Sequence, residues 1–97
     1  MAKRLTSVFT DDMDKCIFTG SPYVERHHIY GAANRSLSEK YGFVVPLRYD
    51  LHPNGARVNP EYREQIDKHL KQMAQKYFEE HYGDREDFIK TFGRSYL

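Results

Sequence analysis

Apolar and polar positions fall into short blocks along the first half of the chain and into a helical stripe along the second. Cys16-Ile17-Phe18-Thr19 is a short apolar block closed by Gly20-Ser21-Pro22, which predicts a strand and a turn. Tyr23 to Tyr30 mixes β-branched, aromatic and polar residues and predicts a second strand ended by Gly31. Asn34 to Tyr41 predicts a short helix. Asn34 or Ser36 is placed to cap it, Glu39 sits three residues after Ser36 as a capping box requires, and Gly42 suits the C-terminal cap. Phe43 to Leu47 predicts another strand, with Pro46 pointing to an edge or a strand end. Residues 52–57 read as a loop. Asn59 and Pro60 then open the longest element as N-cap and first helical residue. Its apolar positions, Tyr62, Ile66, Leu70, Met73 and Tyr77 with Phe78 beside it, are spaced by 4, 4, 3 and 4, the stripe of an amphipathic helix that stops at Gly83. Asp84 with Asp87 opens a last helix to Phe92, ended by Gly93. Residues 1–14 read as a loose N-terminal arm, because Asp11, Asp12 and Asp14 interrupt any apolar pattern. The order of elements predicts a small α+β fold.

Composition narrows this picture. With 97 residues there is one domain, with no room for a second core or a dinucleotide-binding sheet. Eight Tyr and six Phe supply bulky burial, which argues against global disorder. A formal charge of +1 is not that of a strongly basic nucleic-acid binder, although residues 1–58 carry eight Lys/Arg against six Asp/Glu and so hold the small basic excess. A single cysteine excludes an internal disulfide framework and a four-thiolate zinc site. No apolar run approaches the ~20 residues that span a bilayer. The N-terminus lacks the apolar core of a signal peptide, so no membrane association and a cytoplasmic location are expected.

Five histidines are candidates for chemistry. His69 and His81 lie among Lys and Glu on the long helix and read as solvated or edge-packed. His27, His28 and His52 cluster at element ends, and Asn59 caps the helix that follows. Two imidazoles and an amide oxygen can hold a divalent ion and leave positions open for water and substrate. Adjacent strand residues point to opposite sides, so His27 and His28 divide the labour: one binds metal, the other acts as a base, a role that suits a neutral imidazole. The competing reading makes His27-His28 a surface pair and His52 a turn residue.

Several strings weigh against that second reading. Cys16-x-x-Thr19-Gly20, Glu25-Arg26-His27-His28-Ile29-Tyr30-Gly31, Ala33-Asn34-Arg35-x-Leu37-Ser38-Glu39-Lys40-Tyr41-Gly42 and Leu47-Arg48-x-Asp50-x-His52 together resemble the small HNH-type proteins of bacteriophages and prophages. The likeness covers residues 15–97, through to Phe92-Gly93-Arg94-Ser95-Tyr96-Leu97. It implies a ββα-metal domain, a hairpin and a helix around one divalent cation (Mg, Mn, Ni or Zn), and hydrolysis of DNA phosphodiesters. By position it makes His27 the first metal ligand, His28 the general base, His52 the second ligand and Asn59 the third, where the family often has His. It also implies a host-cell cytoplasmic protein with DNA, and possible phage proteins, as partners.

The chain departs from the family in two further ways. Thr19 stands where a second zinc cysteine is common and Arg48 where another lies, so the structural zinc of many HNH proteins is not expected. The middle Asn of the HNH pattern falls near Phe43 and is missing; Asn34 is a candidate brace, besides its capping role. Arg26, Arg35, Arg48 and Arg57 are the candidate phosphate contacts, with Arg48 and Arg57 flanking His52. Tyr30 and Tyr41 read as core or rim. The alternative function is a non-catalytic DNA- or protein-binding module that keeps the fold.

Overall fold

A computed structural model describes residues 5–48 and 60–97, without the side chain of Pro60. It is a small α+β fold: β1 (Val24–His28), a 3₁₀ turn (Ala32–Asn34), α1 (Arg35–Tyr41), β2 (Val44–Arg48), α2 (Pro60–His81) and α3 (Arg85–Phe92). β1 and β2 pair antiparallel as the only sheet among the described residues, with Val24 opposite Arg48 and His28 opposite Val44. In a two-stranded sheet both strands are edges, which is why Pro46 is accommodated inside β2.

The expected strand at 16–19 is instead a turn. The Gly20 amide donates to the Cys16 carbonyl and the Cys16 amide to Ser21, with Gly20 at a left-handed φ of 74°. What survives of strand character is one bond, from the Ile17 amide to the Pro46 carbonyl on the outer edge of β2. Residues 5–14 hold no helix or strand, yet they are not loose: the Val8 amide donates to the Gly42 carbonyl, and Phe9 lies on Phe43 and edge-on to Tyr77.

The core is aromatic. Tyr30, Phe43, Phe78, Phe88 and Phe92 are each 3% exposed or less, and their rings meet in stacked, tilted and edge-to-face pairs with centroids 4.6–6.0 Å apart. Such pairs add about 0.5–1.5 kcal/mol each beyond the area they bury. α2 crosses the hairpin over this core. Its first turns reach the Arg48 end, where Ile66 and His69 share a cleft with Phe18. Its middle meets Tyr30, whose hydroxyl donates to the Lys71 carbonyl, and its last turns carry Tyr77 and Phe78 onto Phe43 and Tyr41. Burial, reinforced by Tyr96 and Asp67 nearby, pushes the Tyr30 phenol far above its ordinary range, so it stays a hydrogen-bond donor.

The helical stripe is right in period and wrong at its first position. Ile66, Leu70, Ala74 and Phe78 are buried, whereas Tyr62 is 52% exposed. Gln75 is also buried, because its amide reaches Glu79 and Ser95 and its carbonyl accepts from the Tyr96 amide, tying down the C-terminal segment. α3 starts as expected, with Asp84 and Asp87 forming a complete capping box, and ends at Gly93. α1 ends at Gly42 in the left-handed conformation, but no side chain caps its start. Ser36 lies inside the helix, and the Asn34 amide instead donates to the Phe92 carbonyl at the end of α3. Asn59 and the loop at 52–57 lie outside the described residues. Among the described residues no helix is long and apolar enough to cross a membrane.

Gly42 and Gly93 have left-handed φ values of 75° and 100°, but only at Gly42 would a Cβ collide, 2.8 Å from Val8 Cγ1. Alanine at either site should cost about 1–2 kcal/mol in backbone strain, and Gly42→Ala about 1–3 kcal/mol more for overpacking against Val8. Urea denaturation of both variants measures the difference. Equal losses would mean that the N-terminal segment yields freely and contributes nothing to the fold.

Candidate functional site

The hairpin register decides where the two adjacent histidines go. Cross-strand partners share a face of a sheet, and successive residues alternate between faces. His27 therefore shares the face of Val45 and Leu47, both part of the hydrophobic core, and is itself only 6% exposed. His28 shares the opposite face with Val44, Arg26 and Arg48. The expected division into opposite sides holds.

α1 is packed against the end of β1 by Ser38. The fully buried Ser38 hydroxyl donates to the Tyr30 carbonyl at 2.7 Å and accepts from the Tyr30 amide at 3.0 Å, while the Phe43 amide donates to the Ser38 carbonyl. This clamp brings the residue after Ser38 to the residue two before Tyr30. Glu39 Oε1 lies 2.9 Å from His28 Nε2, with the His28 side chain 10% exposed and that of Glu39 31% exposed. An ionised carboxylate can only accept, so Nε2 carries the hydrogen and Nδ1 of the neutral ring keeps the lone pair. A charge-assisted bond of this kind, largely out of water, fixes both tautomer and ring orientation.

Glu39 is the residue that sequence reasoning missed: its spacing from Ser36 suggested a capping box, and its partner is eleven residues away on another element. A carboxylate on the helix between two strands, near a histidine-ended strand, was the available signal.

The predicted site is brought together only in part. Among the described residues no group of three or more His, Cys, Asp or Glu is gathered to hold a metal ion. Of the predicted ligands His27 is described, a buried imidazole on β1, which fits a nitrogen-donor site; His52 and Asn59 lie outside the described residues, as does Arg57. Arg26 is exposed, with Nη2 4.0 Å from Asp14 Oδ1, and both side chains are open to water, so the pair contributes little to stability. Arg35 is exposed at the first position of α1, one turn before Glu39. Arg48 ends β2, four residues from the partner of His28, or roughly 13 Å at about 3.3 Å per residue. Tyr30 is core and Tyr41 half-buried at its rim. His81 is edge-packed, its ring 4.1 Å from that of Tyr77.

No protein-family model, no curated protein and no solved structure matches the chain.

The hydrogen bond to Glu39 should protect the His28 Nε2 proton from exchange with water. Proton NMR of the intact chain above the imidazole titration range should show it as a resolved downfield resonance. Glu39→Ala should abolish that resonance, and Glu39→Gln, whose amide oxygen still accepts, should keep part of it. A signal indifferent to Glu39→Ala would contradict the pairing.

Proposed function

We propose that the chain is an HNH-like, ββα-metal endonuclease domain that hydrolyses DNA phosphodiesters with the help of one divalent cation. The observation that carries this reading is the pair of adjacent histidines at the end of β1. One is buried on the core face, and the other is held through Nε2 by a carboxylate. A base needs an oriented ring with a defined lone pair, and the Glu39 contact supplies both to His28. The order of a hairpin followed by a long helix supports the fold half of the reading, and the resemblance of residues 15–97 to phage HNH proteins supports the chemistry.

In this reading His28 Nδ1 removes a proton from the attacking water, which adds in line to phosphorus as the 3′ oxygen departs. Glu39 stabilises the imidazolium that forms. His27, His52 and Asn59 are the residues that would hold the cation. When bound, it supplies Lewis-acid stabilisation of charge on the phosphate and the leaving oxygen. Arg26, on the His28 face, and Arg35 are placed to meet flanking phosphates.

Nicking of supercoiled plasmid with Mg²⁺, Mn²⁺, Ni²⁺ or Zn²⁺ tests the proposal. Wild type should nick with at least one of them. His28→Ala should lose roughly 10²–10⁴-fold in rate, the usual worth of general-base catalysis, with its denaturation midpoint near that of wild type. His28→Ala cutting at the wild-type rate would refute the assignment. A wild-type chain inert with every cation, yet still binding DNA, would establish the non-catalytic binding module instead.

A further inference from the structure

Five of the six phenylalanines belong to the aromatic core or pack on it; Phe18 does not and is 45% exposed. It lines a cleft of 380 Å³ between the 16–20 turn, the end of β2 and the first turns of α2. Tyr62, 52% exposed at a helix position whose spacing should have buried it, lines the same cleft, together with Arg48, Gln65, Ile66 and His69. The His69 ring is tilted against that of Phe18, 6.1 Å away.

The lining states what kind of ligand it suits. Two exposed aromatic rings and the Ile66 side chain favour a flat apolar face. Gln65 and His69 offer hydrogen bonds to a polar edge. Among the described residues that line the cleft, Arg48 carries a guanidinium and none carries a carboxylate, which suits an anionic group nearby. The volume lies at the small end of the range for ligand pockets of about 300–1,000 Å³, which admits one nucleotide and not a stacked base pair. We infer that this cleft is a subsite for one unstacked nucleobase of a DNA strand, stacked against Phe18 and Tyr62 with its phosphate near Arg48. The roughly 13 Å between Arg48 and the partner of His28 makes it a flanking nucleotide, not the one being cut. That placement rests on the nuclease reading; the chemistry of the cleft does not.

Single-stranded oligonucleotides carrying one 2-aminopurine at successive positions test it on the intact chain. Stacking on an aromatic ring quenches 2-aminopurine, so one position should lose emission on binding, and an abasic residue there should weaken binding. Phe18→Ala and Tyr62→Ala should each weaken binding about tenfold, within the range for loss of one base–aromatic stack. Tyr23→Ala, removing a tyrosine 71% exposed outside the cleft, should change nothing. Unchanged emission at every position, wild-type binding by both cleft variants, or an equal loss in Tyr23→Ala would overturn the inference. The same mixtures, given Mg²⁺, Mn²⁺, Ni²⁺ or Zn²⁺ in turn and resolved on denaturing gels, separate the two readings. Quenching without cutting keeps the subsite and removes the nuclease; cutting without quenching does the reverse.

Discussion

The placement of the two adjacent histidines follows from the antiparallel register of β1 on β2. With His27 opposite Val45 and His28 opposite Val44, one imidazole is committed to the core face and the other to the face that α1 covers. A slip of one residue would exchange them, because side chains alternate with a period of two. The register is held at its far side by apolar burial, with Val45 and Leu47 fully enclosed. At the near side it is continued by the Ile29 amide bonding to the Phe43 carbonyl beyond the last paired residues. The same face that fills the core therefore fixes which histidine is buried.

The second constraint is Ser38. A helix of seven residues has little stability of its own in water, so α1 depends on what it packs against. Two hydrogen bonds from one buried hydroxyl to the Tyr30 backbone, and Tyr30 itself wedged among Phe43, Phe88 and Phe92, lock that helix to the aromatic core. The chain accepts a left-handed Ala32, with φ of 50°, to enter it. Glu39 reaches His28 as a consequence of this packing. The core and the site share a backbone segment, and a change that loosens the core around Tyr30 also moves the carboxylate.

Much of the fold was legible because it is written in local patterns. Blocks of β-branched and aromatic residues located both strands, Gly42 and Gly93 marked helix ends, and the Asp84–Asp87 spacing named a capping box that is present. The stripe on α2 located its buried face. What was not legible depends on contacts between distant parts of the chain. The 16–19 block has strand composition, but the left-handed Gly20 folds it back on itself. Val8 and Phe9 look stranded among aspartates until Gly42 and Phe43 are brought to them. Asn34 and Glu39 both carry side chains suited to capping, and both spend them on partners 58 and 11 residues away. Of the candidate site, the opposite faces of His27 and His28 could be read from strand alternation; the contact of Glu39 with His28 could not.

In the proposed reading the buried His27 would serve a cation while its neighbour serves the reaction. Calorimetric titration of Mn²⁺ and Zn²⁺ into EDTA-treated protein addresses it without any need for activity. The account predicts one site per chain for at least one of these ions, weakened at least tenfold in His27→Ala and unchanged in His28→Ala. No binding by the wild-type chain, or the same affinity in His27→Ala as in wild type, would contradict it.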